Sequence, residues 1–180
     1  MKVIETNLLD AYIIKCDVYE DSRGSFMESF NLKKFKKEVS SHENFVQDNH
    51  SVSKKGVLRG LHYQVENPQG KLVRCTSGRV LDVLVDLRKS SPTFGNHFTV
   101  LLDEKYKQVW VPAGFAHGFY VLSDKADVVY KITDYYHPEH ERTLLWNDPQ
   151  LGIDWKIEGE PIISEKDKIG KTFEECEKYD

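Results

Sequence analysis

Apolar residues recur along most of this chain with a period of two, in short runs cut by Gly, Pro, Asn and Asp, which predicts strands rather than helices. The clearest stretch is K-L-V-R-C-T-S-G-R-V-L-D-V-L-V-D-L-R, residues 71–88, where alternating segments flank Ser77-Gly78 as a hairpin turn would require. In its second half Val80, Asp82, Leu84 and Asp86 alternate with Leu81, Val83, Val85 and Leu87. The second set is wholly aliphatic and is expected to face the core. Further strands are expected at 98–102, 107–111, 117–122 and 126–133, with turns at Ser90-Ser91-Pro92 and Pro112-Ala113-Gly114. Residues 57–74, V-L-R-G-L-H-Y-Q-V-E-N-P-Q-G-K-L-V-R, read as two more strands joined by a turn. Strict alternation there puts Gly60, His62 and Gln64 on one face and Arg59, Leu61 and Tyr63 on the other. Helix is scarce: 31–39 has an Asn to cap it and apolar positions three or four apart, and 171–179 is a second short candidate. With no linker, repeat or low-complexity stretch, the pattern predicts one all-β domain over 1–180, a sandwich or barrel with short peripheral helices.

Composition narrows the class without changing the fold. A chain of 180 residues can bury a core of its own. No apolar run approaches the roughly 20 residues of a membrane span, and the first residues lack the layout of a secretion signal, so a cytoplasmic protein is expected. Cys16, Cys75 and Cys176 have no paired spacing, which fits a reduced compartment. The net charge of -4 comes from intermixed Lys and Glu, with no basic stripe for a nucleic-acid backbone.

His62 is the first candidate for chemistry. Its strand neighbours are Gly60 and Gln64, of which the glycine leaves room above the sheet, and cationic residues lie close by in sequence. An imidazole near its ordinary pKa of ~6.5 can take a proton at neutral pH, although a histidine merely hydrogen-bonded within the sheet fits the spacing too. His117, in V-P-A-G-F-A-H-G-F, follows a Pro-Gly turn and is placed to line a pocket mouth. That P-x-G-x-x-H string is similar to the second motif of the cupin barrels. G-L-H-Y-Q, however, offers one histidine, with glutamine where a second ligand would be needed, so no metal is expected. Tyr130, sharing a face with Val128 and Ile132, is a core residue or a proton donor. Tyr135 and Tyr136 form an aromatic pair able to stack on a nucleobase, or an ordinary exposed turn. Asp167, in I-S-E-K-D, is either a solvated carboxylate or a histidine's partner.

Together these strings resemble the dTDP-4-dehydrorhamnose 3,5-epimerase family over nearly the whole chain. The resemblance rests on D-S-R-G-S-F-M-E-S-F, F-V-Q-D-N-H-S, G-V-L-R-G-L-H-Y-Q, K-L-V-R, D-V-L-V-D-L-R-K-S-S-P-T-F-G, V-P-A-G-F-A-H-G-F, W-N-D-P-Q-L-G-I-D-W and I-S-E-K-D, all in order. It implies a cofactor-free and metal-free double-stranded β-helix (a cupin-like jelly roll) acting as a homodimer on a nucleotide-linked 4-keto-6-deoxyhexose. By the same resemblance His62 is the base, Asp167 its partner, Tyr130 the acid on the opposite face, and Lys71, helped by Arg59, the cation at the enolate oxygen. Gln47, Asp48, Asn49, His117, Glu141 and Lys166 match further substrate contacts. Tyr136 matches the tyrosine that stacks on thymine, and Arg23, Phe26 and Glu28 match residues lent to the neighbouring subunit's site.

The chemistry accounts for these residue types. A proton beside a ketone is too weak an acid for imidazole unless the enolate is stabilised, and inversion needs a donor on the far face. No hydride moves, and no glycine fingerprint of a nicotinamide site is present. The same residues would serve an epimerase inverting one carbon, or one using another sugar such as a GDP-linked 4-keto-heptose. A sugar isomerase moving the ketone and a non-catalytic sugar-binding module on the same barrel are further alternatives.

Overall fold

The computed structural model describes residues 1–180. Its strands are β1 (Lys2–Glu5), β2 (Tyr12–Lys15), β3 (Val18–Asp21), β4 (Gly24–Met27), β5 (Gln47–Lys54), β6 (Leu58–Gln64), β7 (Lys71–Ser77), β8 (Val80–Asp86), β9 (His97–Leu102), β10 (Lys107–Val111), β11 (Phe115–Val121), β12 (Lys125–Ile132) and β13 (Glu141–Thr143). Two short helices accompany them, α1 (Leu32–Glu38) and α2 (Glu165–Lys168). A six-stranded sheet in the order β1-β2-β10-β7-β12-β5 faces a five-stranded sheet in the order β13-β6-β11-β8-β9, while β3 and β4 form a separate hairpin. This is the expected jelly roll.

The strands at 98–102, 107–111, 117–122 and 126–133 lie within about two residues of their expected bounds, but the hairpin expected at Ser77-Gly78 does not form. β7 and β8 belong to different sheets, so the turn at Ser77-Gly78 is a corner between layers and not a hairpin. Gly78 adopts φ +82°, and a Cβ there would stand 2.1 Å from the Lys125 carbonyl oxygen, so the corner requires glycine. β6 and β7 likewise face each other from opposite sheets. That crossing is what encloses a pocket.

Three layers of packing follow. Between the sheets lie Val73, Cys75, Val80, Leu84, Val109, Phe115, Phe119 and Val128. The aliphatic set Leu81, Val83 and Val85 turns the other way, against Leu144, Leu151, Trp155, Phe173 and Cys176 of the C-terminal segment. Both faces of β8 are therefore buried, and the alternation that marked one face as core left the true interior face, with Asp82 and Asp86, looking polar. The third layer covers the outside of the six-stranded sheet, where Phe35 of α1 packs with Ile14, Leu72 and Trp110. Asn31 caps α1 by accepting from the Lys34 N–H, as its sequence predicts.

The expected helix at 171–179 is absent. Phe173, Cys176 and Tyr179 have helical spacing, but each is drawn separately onto the five-stranded sheet. The Phe173 N–H donates to Asp148 at 2.8 Å, and Lys171 and Tyr179 make single bridges to Leu144 and Arg88. The helix of this region is α2, capped by Ser164. All three cysteines are free and buried. No helix is long and apolar enough to cross a membrane.

Candidate active site

At one end of the space between the sheets, all but one of the side chains that line the cavity carry a polar group, Ile132 being the exception. Gln47, Asn49, His62, Gln69, Lys71, Tyr130, Tyr136 and Glu141 surround a single pocket. His62 rises from the five-stranded sheet, whereas Lys71 and Tyr130 rise from the six-stranded sheet facing it. A flat ligand between them would meet histidine on one face and tyrosine on the other.

His62 owes its setting to Gly60. That glycine adopts φ +104°, and a Cβ on it would lie 2.6 Å from the His117 carbonyl oxygen, so β6 and β11 can approach only because the side chain is missing. The ladder between the two strands shifts register there. The shift corrects the alternation read from sequence. Leu58, Leu61 and Tyr63 all pack against the C-terminal segment, while Arg59 turns inward and donates from Nε to Ser53 Oγ at 3.1 Å. A cation expected on the far side of the strand thus joins the pocket side.

Asp167 meets His62 Nε2 at 2.5 Å and accepts the Gly60 N–H at 3.2 Å. It is buried on α2 and is not a solvated loop carboxylate. Burial pushes its carboxyl up, but the hydrogen bond and charge of His62 and the Gly60 N–H outweigh that and hold it below the usual carboxylate range. An ionised Asp167 accepts from Nε2–H, which leaves the Nδ1 lone pair of His62 as the basic atom.

Lys71 donates to the His62 carbonyl oxygen at 3.2 Å. Burial pushes its ammonium down to about 8, with the charges of Glu141 and Asp82 opposing the fall. Tyr130 is pushed up by burial, with Arg59 pulling the other way, so its phenol holds its proton at neutral pH. At the pocket mouth Tyr136 donates to Glu141 at 2.7 Å, and Lys166 pairs with the same carboxylate oxygen. The bond to Glu141 pushes the Tyr136 phenol up to about 12.

One expected contact, Asp48, falls outside this pocket, and so do the three residues expected at the neighbouring subunit's site. Asp48 sits between Gln47 and Asn49 on β5 and so points to the outer face, where it pairs with Lys131 at 2.8 Å. Arg23, Phe26 and Glu28 do not line this pocket: Arg23 pairs with Asp21, Phe26 is 71% exposed, and Glu28 pairs with Lys34.

Sequence reasoning missed three supports. Gln64, weighed as a neighbour of His62 and as a failed metal ligand, is buried and grips the loop that carries Tyr136. It accepts from the His137 N–H at 2.8 Å and donates to the carbonyls of Asn67 and Tyr135. Gln69 donates to the Asp134 and Tyr135 carbonyls of that loop. Asp82, inside the barrel, faces His117 Nε2 at 3.0 and 2.9 Å. A carboxylate in the middle of a strand whose neighbours are all Val and Leu was its signal, since a buried charge demands a partner. No group of three or more His, Cys, Asp or Glu is placed to hold a metal ion.

The chain is similar to known proteins over nearly its whole length. Residues 5–175 match the family described as dTDP-4-dehydrorhamnose 3,5-epimerase. The dTDP-4-dehydrorhamnose 3,5-epimerase of Pseudomonas aeruginosa is 51% identical over 178 residues, which covers 98% of each chain. That of Neisseria gonorrhoeae is 53% identical over 99% of this chain, which spans 54% of that longer relative. The crystal structure of dTDP-6-deoxy-D-glucose-3,5-epimerase from Legionella pneumophila in complex with dTDP-4-keto-L-rhamnose superposes with a TM-score of 0.95 at 48% identity, covering 98% of this chain and 94% of that one. The chain belongs to the dTDP-4-dehydrorhamnose 3,5-epimerase family.

Proposed function

We propose that this protein is a cytoplasmic enzyme that inverts carbons 3 and 5 of dTDP-4-dehydro-6-deoxy-D-glucose to give dTDP-4-dehydro-L-rhamnose. The observation that carries the reading is the opposition of base and acid: His62, backed by Asp167, and Tyr130 line one pocket from opposite sheets. His62 Nδ1 removes the proton beside the ketone. The electron pair moves onto the carbonyl oxygen, where Lys71, assisted by Arg59, meets the developing negative charge. Tyr130 then delivers a proton to the same carbon from the opposite face, which fixes the inverted configuration. A base returning its own proton would restore the starting sugar.

Tyr136 stacks on the thymine at the pocket mouth, steadied by Glu141 and Lys166, and Gln47, Asn49 and His117 contribute polar contacts. The match of Arg23, Phe26 and Glu28 extends the proposal to a homodimer in which these residues complete the partner's site. The hairpin that carries Arg23 and Phe26 supports this, since β3 and β4 are exposed along nearly their whole length.

Proton NMR in deuterated buffer tests the reaction and the nucleotide together. Incorporation of deuterium at both carbons of the dTDP-linked 4-keto sugar is the expected result. Label at one carbon alone would make this a single-carbon epimerase, exchange only with a GDP-linked 4-keto sugar would change the substrate, and exchange with neither would leave a binding module.

A further inference from the structure

Tyr136 stands in the loop between β12 and β13, exposed and outside both sheets, yet one buried side chain holds the backbone on either side of it. Gln64, the last residue of β6, is 2% exposed and accepts the His137 N–H at 2.8 Å through Oε1. Its Nε2 donates to the Tyr135 carbonyl at 3.2 Å and to the Asn67 carbonyl at 2.8 Å, so both hydrogens of the amide are used. The Tyr135 carbonyl belongs to the peptide unit before Tyr136, and the His137 N–H to the unit after it. Each unit is planar, so an amide bonded to both restrains φ and ψ of the residue between them. Neither a glutamate, which has no donor when ionised, nor a lysine, which has no acceptor, could do this.

The tip of the same ring is held from the same strand. Glu141 is the cross-strand partner of Gln64 in the ladder between β6 and β13, and it accepts the Tyr136 hydroxyl at 2.7 Å. Backbone and phenol are thus both tied to β6, the strand that carries His62. Gln69 adds a second hold on the loop, donating to the Asp134 and Tyr135 carbonyls at 3.1 Å. Gln69 lines the pocket, however, and Gln64 does not. Any effect of Gln64 on a ligand must pass through the groups it holds.

We infer that Gln64 is a positioning residue that sets the affinity for the nucleotide, by presenting the Tyr136 ring to the base in its binding orientation before the ligand arrives. An aromatic ring on a loose loop would have to be ordered on binding, and that ordering subtracts from affinity. The inference rests on the reading of Tyr136 given above, in which its ring stacks on the thymine.

Nitrogen relaxation of the ligand-free, unaltered protein tests the hold without a variant. The backbone amides of Tyr136 and His137 should be as rigid as those of β6, with order parameters of about 0.85, and values below about 0.6 would overturn the inference. Gln64→Met keeps the length of the side chain and removes its hydrogen bonds. It is expected to raise the Kd of dTDP, measured by calorimetry, and the KM for the dTDP-linked 4-keto sugar about tenfold each, with kcat changed by less than about twofold. In a Tyr136→Ala background the same substitution should weaken dTDP binding no further, because the ring it positions is gone. A merely structural role would weaken binding in both backgrounds. The inference would be overturned by unchanged dTDP affinity in Gln64→Met, by a loss that persists without the Tyr136 ring, or by an unaltered protein that does not bind dTDP. A fall in kcat at unchanged KM would also overturn it and make Gln64 a support of His62 instead. The expected loss of dTDP affinity in a protein that epimerises no 4-keto sugar would uphold the role of Gln64 and remove the epimerase reading alone.

Discussion

The two histidine–aspartate pairs stand side by side on one sheet but are built differently. His117 and Asp82 are 35 positions apart, on adjacent strands of the five-stranded sheet, and are almost sealed from water. His62 and Asp167 are 105 positions apart, and their contact forms only when the C-terminal segment crosses the back of the sheet and sets α2 beside β6. The His62 ring keeps 27% of its surface exposed. A base must give up its proton after every turnover, so it needs an open face and a partner that orients without enclosing. A residue that only makes a polar contact to the sugar needs neither. Burial separates the two roles where residue type does not.

Removing the histidine of the exposed pair sharpens the comparison most. His62→Ala is expected to lower kcat by about 10²–10⁴-fold, the usual contribution of a positioned base, with binding of the nucleotide sugar retained by calorimetry. Equal turnover in variant and parent would dismiss His62 as the base. Next comes Lys71→Met, expected to cost about 2.7–4 kcal/mol of transition-state stabilisation, or roughly a hundred- to thousandfold in kcat. Its counterpart is a pH profile. The acting form of Lys71 is the ammonium, which predominates below about 8, so kcat/KM should fall as pH rises through about 8. A rate flat well beyond that value would show that the cation is not Lys71. Tyr130→Phe separates the two faces: solvent deuterium should still exchange at the carbon facing His62, while inversion drops far more than exchange. Loss of both in equal measure would argue that Tyr130 serves only to pack.

Strands were legible in the sequence because their period is set residue by residue, and so His62 and Tyr130 could each be placed on a face, while Lys71 entered only through the family resemblance. Pairing was not legible, because it depends on distant segments. Gly78 marks a turn in either arrangement, and nothing local says that the chain then crosses to the other sheet. Arg59 was placed on the wrong face because one glycine conformation at Gly60 breaks the alternation. The C-terminal segment misled for a related reason, since Phe173, Cys176 and Tyr179 satisfy a helical spacing yet fill three separate gaps in the packing. Asp82 was passed over as the polar half of an alternating strand, a pattern that ordinarily means solvent. Here the second face was covered as well.

The smallest effect discriminates best between the two pairs. α2 is a single turn, and Ser164 caps it by accepting the Asp167 N–H at 3.2 Å. Ser164→Ala removes that cap, a loss of about 1 kcal/mol at a typical helix start. It touches no residue of the His117 pair. Asp167 should then spend more time away from His62 Nε2, lowering kcat several-fold at neutral pH, while the nitrogen signals of His117 stay where they were. If the signals of both histidines moved together, the pairs would be one coupled unit and the division into an exposed base and a sealed pair would fail. If neither moved and kcat held, the Gly60 N–H and His62 alone would suffice to hold Asp167, and the dependence of the base on the capped turn would be lost.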